Sequence, residues 1–149
     1  MSAAGDLVRT LPPASFVHDD TSIFNLTNSS YEAGTPEVGV YFVAPPSGTV
    51  RLTLGGGFRD NTATDRIFLA PELFEENSDG ERILAPSVTA RGYLSMKEDT
   101  QPQYGCRVSL ITGLTAGQLY YLRTMHLASP GSGAQADIAA RDLIVIPMP

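Results

Sequence analysis

From residue 37 onward this chain is one short apolar run after another, each closed by a glycine- or proline-marked turn, with no long helix-forming run anywhere. Residues 38–43 are apolar on both faces and stop at Pro45-Pro46-Ser47-Gly48. Residues 49–54 alternate cleanly, placing Val50, Leu52 and Leu54 on one face of a strand. Gly55, Gly56 and Gly57 before Phe58 predict a bend or bulge within a continuing strand. Pro71 sits between the runs 66–70 and 72–75, which limits that strand to an edge or breaks it. After the turn 77–80 come short runs at 82–85 and 90–96, a polar loop at 97–103, two strands around Thr115-Ala116-Gly117, and a closing strand ending near Pro147. Eight or nine strands spaced about 8–14 residues apart predict an all-β, jelly-roll-like antiparallel β-sandwich.

Residues 1–36 have a different texture. Isolated apolar residues (Phe16, Ile23, Phe24, Tyr31) punctuate a polar stretch rich in Asn, Ser and Asp. The division that follows is an extended N-terminal docking arm over 1–36, with an edge strand near 22–26, and a β-sandwich over 37–149. Sparse apolar anchors on extended backbone suit a groove or sheet edge of a neighbouring subunit. A net charge of -6 and a lone lysine, Lys97, argue against a surface that neutralises phosphates, so nucleic acid is not an expected partner. The opening residues lack an apolar core of signal-peptide length, and no run approaches the eighteen apolar residues of a membrane span; neither export by that route nor a membrane partner is expected. Cys106 is the single cysteine, which excludes an intrachain disulfide and fits assembly in a reducing cytoplasm.

Residues 104–127 invite a specific register. A three-residue loop at 115–117, with Gly117 in the left-handed region, would make a hairpin in which Leu110 faces Leu122, Val108 faces Thr124 and Cys106 faces His126. That hairpin gives a smooth apolar face for the core. Its other face mixes Arg107, Ser109 and Arg123 with Ile111, Tyr121 and Met125, too apolar for open solvent and too charged for a deep core. Ile111, Tyr121 and Met125, with Phe16, Ile23, Phe24 and Tyr31 of the arm, are therefore the candidate interface residues.

Candidate chemistry is thin. Cys106 opposite His126 could form a nucleophile–base pair, but mid-strand positions flanked by Val108 and Leu122 suit a buried core pair better. His18, Asp19 and Asp20, even with Asp60 or Asp65, lack zinc or calcium ligand spacing. Gly55-Gly56-Gly57 lacks the Lys-Ser/Thr of a phosphate loop. Glu72, Glu75 and Glu76 suit a solvated face rather than a glycosidase pair. No enzyme activity, metal or cofactor is expected. Tyr120 and Tyr121, adjacent in a strand, leave a carbohydrate-binding module as the alternative, one ring serving as a sugar platform.

Several strings carry a resemblance: Val40-Tyr-Phe-Val-Ala-Pro-Pro-Ser-Gly48, Leu54-Gly-Gly-Gly-Phe-Arg-Asp-Asn61, Arg107-Val-Ser-Leu-Ile-Thr-Gly-Leu-Thr-Ala-Gly117, Leu122-Arg-Thr-Met-His126 and Ala139-Ala-Arg-Asp-Leu-Ile-Val-Ile-Pro147. Together, from about Asn25 to the C-terminus, the chain resembles small virion proteins of tailed phages infecting actinobacteria, of the minor-tail or capsid-decoration type. The resemblance implies a jelly-roll module, a homotrimer on the virion surface, capsid or tail proteins as partners, and outer loops facing the host, where a surface glycan is a further partner. It transfers no catalytic residue.

Overall fold

The computed structural model describes residues 11–60, 66–95, 99–129 and 136–149. Nine strands lie among them: β1 (Ser15–Asp19), β2 (Gly39–Val43), β3 (Val50–Asp60), β4 (Ile67–Glu75), β5 (Arg82–Leu84), β6 (Tyr93–Ser95), β7 (Asp99–Ile111), β8 (Leu119–Ala128) and β9 (Ala136–Pro147). They form two antiparallel sheets, ordered β1-β9-β3-β7 and β2-β8-β4-β5, with β6 added to β4. This order, with the chain passing from sheet to sheet at each step except through β4, β5 and β6, is jelly-roll connectivity. The alternation in β3 does as expected: Val50, Leu52 and Leu54 are fully buried and meet Leu69, Leu73, Leu122, Leu143 and Val145 in one core between the sheets.

The glycine run behaves as the sequence predicts. β3 continues through it, and its pairing with β9 shifts register between Gly57 and Phe58. A Cβ on Gly56 would lie 2.6 Å from the Ala140 carbonyl oxygen, so the close approach of β3 and β9 needs glycine there. Pro71, by contrast, does not break its strand. β4 runs unbroken from Ile67 to Glu75, paired along its whole length with β8. On its other side β6 takes 67–69 and β5 takes 73–74, so Pro71 falls in the gap between two short partners.

The hairpin assigned to 104–127 is not formed. Gly117 does adopt positive φ, at 79°, as the turn requires. Yet β7 pairs with β3 in one sheet, and β8 pairs with β4 and β2 in the other. The connection 112–118 therefore crosses the sandwich, tied to the β2–β3 link by Leu114 N–H to the Gly48 carbonyl and Gly117 N–H to the Ala44 carbonyl. The faces of β7 are consequently reversed from the expectation. Ile111 is buried in the core, while Cys106, Val108 and Leu110 face outward and are exposed.

Arg107 can point inward because residues 87–92 fold around it. Its guanidinium donates five hydrogen bonds, to the carbonyls of Val88, Thr89, Ala90 and Gly92. Removing them with Arg107→Ala should release this loop first: amide exchange at 88–92 rises while the core strands stay protected, at a global loss of about 1–3 kcal/mol. Unchanged exchange at 88–92 would show that the carbonyl cage does not hold the loop.

The described part of the N-terminal segment lies on the chain's own sandwich. β1 is an edge strand on β9, and its position is 15–19 rather than 22–26. Beyond it, Ile23 bridges Ile138, Leu26 N–H bonds the Ala136 carbonyl, and Glu32 bridges His126. Leu26 belongs to the core. Residues 11–36 thus close the sandwich of the chain that carries them.

Candidate interaction surface

The outer face of the β1-β9-β3-β7 sheet is where this molecule leaves apolar surface uncovered. Antiparallel register aligns the outward side chains in rows across all four strands. Phe16, Ile144, Thr53 and Val108 make one row. Ile146, Arg51 and Leu110 make a second, and Ala140, Gly57 and Tyr104 a third. Phe16 is 78% exposed, Tyr104 69%, Val108 58%, Leu110 50% and Ile144 38%, so half of the large exposed hydrophobic residues among the described ones share this face. The middle is flat. A Cβ on Gly57 would strike the Tyr104 ring at 2.4 Å, and one on Gly55 would lie 2.9 Å from the Cys106 Cβ, so the neighbours on β7 lie across glycine backbone.

The charge on this face is small. Arg51 is one such group. A fourth row, His18, Asp142, Gly55 and Cys106, carries an ion pair between His18 Nδ1 and Asp142 Oδ1 at 2.5 Å. The hydrogen bond to Asp142 raises the His18 pKa above its ordinary value, with further support from the Asp142 charge. Of the exposed acids among the described residues, Glu32, Glu37, Glu76, Asp79 and Glu81 belong to the other sheet and its connections, whereas Asp20 follows β1 directly.

The opposite outer face combines ion pairs with exposed apolar residues of its own, Tyr41, Val43, Ile83 and Leu119. Glu72, nearly buried, accepts from Arg123 Nε at 2.8 Å and Arg82 at 3.3 Å. Arg123 also reaches Glu37 at 3.2 Å and lies over the Phe74 ring. Tyr121 donates to Glu37 and packs on Tyr41, ring centroids 4.7 Å apart; burial, then Glu37, raises its pKa.

The candidate interface residues are therefore scattered. Phe16 lies on the apolar face and Phe24 is exposed beside Arg59 at 5.9 Å, whereas Ile23 and Tyr31 are half-buried. Ile111 is a core residue, and Tyr121 and Met125 are buried on the outer side of β8, so the mixed strip does not exist as one surface. Tyr120 lies in the core and Tyr121 under Tyr41 and Glu37, which removes the sugar platform. Cys106 and His126 are in different sheets, one exposed and the other buried, and form neither a dyad nor a core pair. No group of three metal-ligating side chains occurs among the described residues. Asp65 and the 97–98 part of the polar loop lie outside them.

Sequence reasoning missed the buried charge at the sandwich end. Arg141 is fully buried, donates to the Ala33 carbonyl at 3.0 Å and the Pro36 carbonyl at 2.7 Å, and has Asp19 at 3.7 Å. Beside it is buried His126, whose backbone pairs with Glu32. Gly34, at φ 77°, passes between them: a Cβ there would lie 2.8 Å from Arg141 Nη1 and 3.0 Å from His126 Cε1. Burial, then the Arg141 charge, lowers the His126 pKa to about 4. An open groove of about 480 Å³ rims this end, with His126 and Glu32 among its walls.

No protein-family model and no curated protein sequence matches the chain. Among solved structures, a chain from the structure of infectious bursal disease virus, Gx strain, is similar with a TM-score of 0.55 at 16% identity, over 91% of this chain. This chain spans 32% of the length of that one. At such identity the likeness is one of fold, and it places a counterpart of this β-sandwich within a virus structure.

Proposed function

We propose that this chain is a structural component of a virion, a β-sandwich module that acts by binding other proteins of the particle. The observation that carries this reading is the likeness of nearly the whole chain to part of a chain in a virus structure. The large uncovered apolar face supports it, since exposed patches of this kind mark contact surfaces. The finer reading, from the sequence resemblance, is a minor tail or capsid-decoration protein of a tailed phage infecting actinobacteria, trimeric and carried on the particle surface.

Attachment through a free N-terminal arm takes a different form once 11–36 is packed on its own sandwich. Deleting residues 1–30 removes β1 and the anchors Ile23 and Leu26, so the variant should lose its cooperative thermal transition rather than merely fail to attach. A truncated chain that melts like the full one would show that this segment is dispensable to the fold.

The functional test is composition of the particle. Gradient-purified virions of the encoding phage should contain the chain at fixed stoichiometry by peptide mass spectrometry, many copies if it lies on the capsid and few if on the tail. Its absence from infectious particles would overturn the reading.

A further inference from the structure

We propose that the outer face of the β1-β9-β3-β7 sheet is a homotypic contact, its partner the same face of a second copy of this chain. The inference rests on the assembly reading above and names a partner for it.

The face requires something flat and largely apolar opposite it, its charged groups being Arg51 and the His18–Asp142 pair, and the face itself has those properties. Its middle is Gly55, Gly57 and Thr53 on β3; its margins are Phe16 on β1 and Tyr104, Cys106, Val108 and Leu110 on β7. Two antiparallel sheets with such faces stack about 10 Å apart, as the inner faces of this sandwich do. Electrostatics selects the same approach. A chain of net charge -6 repels its own copies, but the exposed acids of the other sheet and its connections are turned away when these two faces meet. An isologous contact of this kind is the usual form of self-association, and being two-fold it would join chains, or trimers of them, in pairs rather than build the trimer itself.

Area fixes the strength. Three strand spacings of about 4.8 Å plus side chains, over seven residues at about 3.3 Å, give a face of roughly 400 Å² per copy. Two such faces fall below the roughly 1,200 Å² of a standard stable interface, so the isolated chain is a reversible monomer–dimer system and the contact is reinforced only within a larger assembly.

Cys106, the single cysteine, lies within the face and supplies the probe. Purified full-length chain should show a weight-average mass that rises with concentration in sedimentation up to roughly millimolar protein, the range for an interface of this size. A bismaleimide reaching about 10 Å, the spacing of stacked sheets, should trap a dimer through Cys106. Val108→Asp and Ile144→Asp, at exposed positions, should keep the circular dichroism and melting of the parent and cut the trapped dimer at least tenfold. A parent that stays monomeric at every concentration, or association untouched in both variants, overturns the homotypic contact. Particle incorporation reads separately: a monomeric chain still present in virions sinks the contact and leaves the virion role standing, whereas a dimer never found in virions does the reverse.

Discussion

Arg141→Ala is expected to be among the most destabilising single substitutions in this chain, with a loss of about 3–5 kcal/mol in urea unfolding at neutral pH. The guanidinium is fully buried and holds the Ala33 and Pro36 carbonyls, acceptors more than a hundred residues away in sequence. Truncation leaves both without a donor, leaves Asp19 without its cation, and opens a void beneath Gly34. A chain of this size should melt roughly 10 °C lower. Arg141→Met separates the contributions: it refills most of the volume, so what it still loses is hydrogen bonding. The amides that tie 20–36 to the sandwich, Glu32 and Ala128 above all, should exchange faster in both variants. If Arg141→Ala lost less than about 1 kcal/mol, an ordinary surface value, the guanidinium would not be what secures this segment.

That dependence on Arg141 was invisible in the sequence, where the residue reads as one polar position in a closing strand. The strand was legible because Leu143 and Val145 alternate with it; the burial of its charge was not, because the acceptors come from 33–36. The same limit explains β7. Its alternation announces a strand but offers two mixed faces, Cys106/Val108/Leu110 and Arg107/Ser109/Ile111. An inward-turned guanidinium looks forbidden until the carbonyls of 88–92 are placed around it. The turn at 115–117 was read correctly as backbone geometry, Gly117 included, and wrongly as a hairpin. A local turn fixes the reversal of the chain, while partner choice depends on strands about forty to sixty residues away.

The candidate surface followed the same division. Phe16 was identifiable as an isolated apolar residue in polar surroundings, and it lies on the exposed face. Ile111, Tyr121 and Met125 share a face only in a β7–β8 hairpin register, which the structure does not form. The face they should have pointed to became apparent only when Phe16, Ile144, Thr53 and Val108 aligned across four strands.

Acid should weaken this fold through His126, by about 2–3 kcal/mol at pH 4.5 relative to pH 7 beyond what the carboxylates contribute. The sign follows from the direction of the shift. Burial and the Arg141 charge hold the folded imidazole at about 4, below the ordinary 6.5 of the unfolded chain, so the unfolded state takes up the proton first. The stability tied to neutral His126 is complete above pH 6.5 and is lost as pH falls towards 4, at 1.36 kcal/mol for each pH unit between the two values. The charged groups at this end are Arg141 from β9 and Glu32 from the segment across it, with Asp19 on the far side of Arg141. Leu69, its neighbour on β4, is apolar. Protonation therefore sets an imidazolium beside a buried guanidinium, directly under residues 32–34. Loosening should begin there, seen as faster exchange of the Glu32 and Ala128 amides at pH 4.5 while the Leu52 and Leu122 amides remain protected. His126→Gln keeps a polar side chain but cannot titrate, so its stability should fall by that much less between pH 7 and 4.5. An equal fall in parent and variant would place the acid sensitivity elsewhere and leave His126 a spectator of the arginine beside it.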